Sequence, residues 1–123
     1  MAVAYYLGNK ILDAVFKATS LKIDAVYISL HTGDPGLDGS NEVTGGSYVR
    51  KTSTFSSADG NATANTAAIE YAGMPAATVT HVGVWDAESG GNYLWGAAVT
   101  ASKTYGAGDV ARLSVGSFGA SVS

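Results

Sequence analysis

The chain has 123 residues, of which 46% are hydrophobic and 14% charged, and its formal net charge is −3. This length suits a single domain, residues 1–123, with one core, and the hydrophobic content argues against intrinsic disorder. The seven lysines and arginines are scattered singly, so we expect no nucleic-acid partner, because phosphate binding needs clustered cations. The sequence has no run of about 18 apolar residues, which predicts no transmembrane helix and no membrane partner.

The low charge also bears on assembly. An average soluble domain is roughly 25% charged, so the surface here is largely covered by small and polar residues. Such a surface repels its neighbours weakly, which favours a place inside an assembly. The chain contains no cysteine, which excludes disulfides and thiolate chemistry and is typical of folding in a reducing cytoplasm.

Residues 4–18 have the pattern of an amphipathic helix. Leu7, Ile11, Val15 and Ala18 recur at a spacing of about four, as expected for one face of a helix. A helix with one apolar face must lie on another surface. The predicted partner is the sheet that follows or a neighbouring subunit.

Beyond the helix the period changes to two, and residues 24–123 are predicted to form a β domain. Apolar alternation separated by glycine-rich turns is typical of an antiparallel β-sandwich or a barrel-like domain. About six or seven short strands are expected. They are predicted at 26–31, 48–55, 67–71, 79–85, 93–99 and 110–115, with a last short edge within 116–123. A long loop is predicted at 32–47.

Candidate catalytic chemistry is sparse. Glu70 and Glu88 are acidic, but no pattern brings them together as an acid–base pair. Serines are plentiful, yet no Gly-x-Ser-x-Gly nucleophile motif is present. The glycine-rich stretch 33–39 lacks the lysine and the following helix that a phosphate-binding loop requires. We therefore predict no enzyme activity, no catalytic residue and no cofactor.

Metal binding is also weakly indicated. His31 and His81 each lie on a predicted strand with an aspartate a few residues later, Asp34 and Asp86, but this ligand set matches no zinc pattern. Loosely clustered oxygen ligands in the 32–47 loop leave a bound cation open as an alternative. No metal site is predicted.

Candidate interface residues lie on the helix, on the long loop and near strand ends. The helix offers an apolar stripe, and the loop offers exposed backbone and an adaptable shape. Aromatic side chains near strand ends either fill the core or anchor an interface. The predicted interface residues are Tyr5, Tyr6, Asp34, Pro35, Leu37, Tyr48 and Trp95.

Several motifs follow one another along nearly the whole chain. They are residues 30–35 (LHTGDP), 42–50 (EVTGGSYVR), 65–69 (NTAAI), 79–87 (VTHVGVWDA), 90–94 (GGNYL) and 107–110 (AGDV). On these motifs and its N-terminal amphipathic helix, the chain resembles small virion structural proteins of tailed bacteriophages. Members are usually labelled tail fibre or minor tail protein, and some small phage β proteins of this size are capsid decoration (cement) proteins.

The resemblance implies a non-enzymatic structural module, present in many copies on the virion after synthesis in the host cytoplasm. Its partners would be major capsid or tail proteins. We expect a homo-oligomer, and a cyclic trimer fits the three-fold positions of both sites. The family label favours the tail, whereas the absence of a shaft-like repeat favours the capsid. The alternative function is a carbohydrate-binding module that recognises a host surface glycan through aromatic residues such as Tyr93 and Trp95.

Overall fold

A computed structural model describes residues 2–116 and 119–121. The fold is mainly β with one N-terminal helix, which confirms the predicted class. Of the nine strands among these residues, seven have three or more residues, in agreement with the expected number. The elements are β1 (Ala2–Val3), α1 (Tyr5–Phe16), β2 (Tyr27–His31), β3 (Lys51–Thr52), β4 (Ala62–Ala64), β5 (Ile69–Tyr71), β6 (Ala77–Trp85), β7 (Tyr93–Tyr105), β8 (Ala111–Leu113) and β9 (Gly119–Ser121).

The strands form one open sheet and two ribbons. The five-stranded sheet has the order β1-β7-β6-β2-β3, and β4 pairs with β9 and β5 with β8. Every pairing is antiparallel. The described strands therefore do not close into a barrel, and the centre of the fold is the hairpin of β6 and β7 next to β2.

The helix α1 is two residues shorter at its C-terminal end and one residue shorter at its start than the predicted 4–18. Ala4 has an extended backbone, and its N–H donates to the Leu94 carbonyl at 2.9 Å, so strand pairing continues up to the helix. At the other end, Ala18 adopts a φ of +53°, which a helix cannot contain. Among the described residues, no helix is both long and apolar enough to span a membrane.

The strand β7 is longer than predicted. The sequence pattern indicates a strand that ends at residue 99 and a turn over 103–109. Lys103, Thr104 and Tyr105 instead continue the ladder opposite Val79, Thr78 and Ala77. The physical reason is that no glycine or proline occurs between residues 97 and 105. The strand therefore runs on until Gly106.

The strand β3 is shorter than predicted, because the sequence pattern indicates one strand over residues 48–55. Only Lys51 and Thr52 pair with β2. Two tyrosine hydroxyls also supply hydrogen bonds to the backbone of β2. The Leu30 N–H donates to the Tyr48 hydroxyl at 2.9 Å, and the Tyr71 hydroxyl donates to the Ile28 carbonyl at 2.8 Å. Buried backbone groups need partners, and side chains supply them here.

Both faces of β2 are buried. Ile28 and Leu30 belong to the hydrophobic core, together with residues of β5, β6, β7 and β8. Ser29 and His31 alternate with them, and both have an exposed fraction of 0%. The apolar core thus lies on one side of the strand, and a polar buried layer lies on the other side, under the 32–47 loop.

Glycines let the polar layer pack closely. A Cβ on Gly83 would lie 2.6 Å from Ser29 Oγ and 2.7 Å from His31 Nε2. A Cβ on Gly39, in the loop above, would lie 2.6 Å from the Trp85 ring. These distances are too short for real side chains, so both glycines are required for the loop to reach the sheet.

We expect Gly83→Ala to destabilise the fold by about 1–3 kcal/mol, because an extra methyl overpacks a site that has no free volume. Urea unfolding followed by tryptophan fluorescence measures this change. Gly8→Ala is the control, since its Cβ would meet only Val3 at an ordinary 3.9 Å and alanine favours a helix. Equal unfolding midpoints for wild type and Gly83→Ala would contradict the close packing.

Candidate functional site

Residues of three of the motifs, 30–35, 42–50 and 79–87, converge with Ser29 beneath the 32–47 loop at one end of the sheet. We call this group the anchor cluster: Ser29, His31, Glu42, Tyr48, Arg50 and Trp85. They come from β2, from the loop, from the segment before β3 and from the end of β6. Most are buried or half-buried, and hydrogen bonds and ring contacts join them.

Arg50 and Glu42 form the ionic part of the anchor cluster. Arg50 Nε donates to Glu42 Oε2 and Arg50 Nη2 donates to Glu42 Oε1, each at 2.9 Å. The side chain of Arg50 is 8% exposed and that of Glu42 is 20% exposed. This bidentate geometry fixes the guanidinium in its plane and shields the pair from solvent. It ties the end of the 32–47 loop to the start of β3.

The same guanidinium also binds a second loop, the 86–92 connection between β6 and β7. Arg50 Nη1 donates to the carbonyls of Ala87 at 3.0 Å and Gly90 at 2.8 Å. Its carbon lies 3.6 Å from the centre of the Trp85 ring, in a cation–π arrangement. Arg50 therefore holds two loops together over one aromatic ring, and a lysine ammonium does not have this planar set of donors.

Tyr48 joins the ion pair to the sheet. Its hydroxyl donates to Glu42 Oε2 at 2.9 Å and accepts the Leu30 N–H, while its ring stacks on Tyr71 with centroids 5.8 Å apart. Burial raises the pKa of the Tyr48 hydroxyl far above its usual value. The side chain is thus a neutral structural link.

His31 connects the 32–47 loop to Ser29 and Trp85 beneath it. His31 Nδ1 lies 2.7 Å from the Ser40 carbonyl, which can only accept, so this nitrogen carries the proton. Nε2 then accepts from Ser29 Oγ at 2.7 Å, and Ser29 Oγ accepts from Trp85 Nε1 at 3.0 Å. With a neutral imidazole, these bonds run in one direction from Trp85 to the loop backbone.

Burial lowers the pKa of His31, and the carboxylate of Glu42 and the bond to the Ser40 carbonyl act in the opposite direction. Arg50 and His81 lower it further. Burial therefore favours the neutral imidazole, in which Nε2 accepts from the Ser29 hydroxyl.

The two histidine–aspartate pairs suggested by the sequence do not form. His31 and His81 are neighbours across β2 and β6, but His81 Nδ1 lies 2.8 Å from Thr80 Oγ1. Asp86 binds Asn92 instead, whose backbone N–H lies 2.6 Å from Asp86 Oδ1 and lowers the pKa of that carboxyl. Within residues 2–116 and 119–121, no three histidine, aspartate or glutamate side chains converge as in a metal site.

The 32–47 loop uses its carboxylates to shape its own turns. Asp34 Oδ1 accepts the Gly36 N–H at 2.8 Å, and Asp38 Oδ1 accepts the Ser40 hydroxyl at 2.7 Å. Asp34 is exposed and Pro35 is buried, while Leu37 is 38% exposed. Of the predicted interface residues on this loop, Asp34 and Leu37 are available to a partner and Pro35 supports the loop from below.

The other predicted interface residues have different environments. Tyr5 is 69% exposed on α1, whereas Tyr6 is half-buried. Trp95 is half-buried and lines an apolar groove of about 230 Å³ with Leu7. Tyr48, described above, lies within the anchor cluster. Tyr5 is thus the aromatic of this set that a partner can reach most easily.

Sequence reasoning missed most of the anchor cluster. Ser29, Arg50 and Glu42 were not singled out as one group, although Glu42, Tyr48 and Arg50 all belong to a single motif. The available signal was a lone arginine at the end of a glycine turn in a chain with few charges. The pairing with Ala87 and Gly90, 37 and 40 residues away, had no local signal.

The chain matches the family described as Podophage GP4 fiber I protein gp80 over residues 2–121. It is therefore a structural protein of the phage virion. More specifically, the chain belongs to this family of podophage fibre proteins, which confirms the resemblance to phage tail fibre proteins. A search of curated proteins found no significant match.

We expect Arg50→Lys to destabilise the fold by about 1–3 kcal/mol, because a lysine ammonium keeps the charge but cannot make the bidentate contact to Glu42, reach both carbonyls and lie against the Trp85 ring at once. Urea unfolding measures the loss. Lys22→Ala is the matched control, because its ion pair with Asp24 has side chains that are 82% and 83% exposed, and such pairs contribute little. Similar losses in the two variants would contradict the anchoring role of Arg50.

Stability is expected to fall in mild acid because of His31. The unfolded chain binds a proton at the ordinary histidine pKa of 6.5, whereas the folded chain binds it at a lower pH. The contribution of neutral His31 is therefore fully present above pH 6.5 and is lost as the pH falls toward the folded pKa. Unfolding midpoints measured between about pH 7.5 and about pH 5.5 test this. In His31→Gln the decline should be smaller, and an unchanged decline would contradict the assignment.

Proposed function

We propose that this chain is a non-enzymatic, multi-copy structural module of the phage fibre, made in the host cytoplasm and incorporated by binding other virion proteins. One observation carries the proposal: the motif residues are used to hold loops on a sheet. Arg50, Glu42, Tyr48 and His31 all have partners inside the same domain. A protein that works by presenting a rigid surface needs this kind of interior and requires no cofactor.

One pair of residues has the distance of a nucleophile and its base. Ser29 Oγ and His31 Nε2 are 2.7 Å apart, which meets the geometric requirement for serine activation. Both residues are 0% exposed, however, and Trp85 already donates to the serine oxygen. A substrate carbonyl cannot reach Ser29 while the loop is in place. This burial supports a structural role for the pair.

Binding through surfaces is supported by the exposed apolar groups. Tyr5 and Leu37 are both exposed, and the Tyr5 N–H lies 3.4 Å from the Leu37 carbonyl, so the helix and the loop form one continuous surface. With many copies, weak contacts of this kind combine into firm attachment. The partners in this proposal are neighbouring copies and other fibre or tail proteins.

A place on the fibre is favoured over capsid decoration by the family match, since the family description names a fibre. Capsid cement remains the competing location, because the compact β fold suits either. The two locations differ in copy number, since a capsid lattice has hundreds of equivalent positions and a tail has few.

The alternative of a glycan-binding module finds less support. Tyr93 is 5% exposed and packs against Trp85 with ring centroids 5.3 Å apart. Trp95 is half-buried. Sugar stacking needs an accessible aromatic face, which Tyr93 does not present and Trp95 presents only in part.

Quantitative mass spectrometry of purified virions tests the proposed location. We expect the chain at a few tens of copies or fewer, relative to the major capsid protein, and we expect antibodies against it to label the tail end in electron micrographs. Hundreds of copies spread over the head would move the protein to the capsid. Absence from washed virions would contradict the structural role altogether.

A further inference from the structure

We draw no further inference here: the strongest candidate, the exposed apolar face of α1 formed by Tyr5, Leu12, Val15 and Phe16, carries none, because nothing among the described residues shows what covers it.

Discussion

The fold depends on one guanidinium group. Arg50 reaches Glu42 in one loop and the carbonyls of Ala87 and Gly90 in another, while its plane lies against Trp85. Four donor contacts and a ring contact are made by a single side chain that is almost fully buried. Removing it would leave the partly buried Glu42 carboxylate without a cationic partner and would release both carbonyls, which costs more than the loss of any one contact. The positions of both loops relative to the sheet therefore depend on this residue.

The chain uses polar groups to complete a small sheet that has few charges. The hydroxyls of Tyr48 and Tyr71 supply hydrogen bonds to the Leu30 N–H and the Ile28 carbonyl of β2. On the other face of that strand, Ser29 and His31 connect to the Ser40 carbonyl. The donors of Ser29, His31 and Trp85 each have an acceptor, so these bonds add directional specificity to the apolar packing. The loop is consequently held in one position, which a binding surface requires.

Local patterns predicted local structure well and long-range contacts poorly. The helix, the strand at β2 and the hairpin of β6 and β7 follow from period and turn residues, and all three are present. The pattern did not show β1, because two residues carry no periodicity, or the early end of β3, because it depends on hydroxyls from distant residues. The anchor cluster was missed for the same reason: Arg50 and Gly90 are 40 residues apart. No property of either residue alone specifies the other.

The two groups of residues in this chain therefore provide different information. Glu42, Tyr48 and Arg50 must keep their chemistry for the loops to stay in place. The outer face of α1 contributes nothing to that interior, since no residue of the helix is fully buried. Selection for folding alone does not require apolar residues at Leu12 and Phe16, where water would be displaced only by a partner. Folding therefore accounts for Glu42, Tyr48 and Arg50, whereas it does not account for the exposed apolar residues of α1.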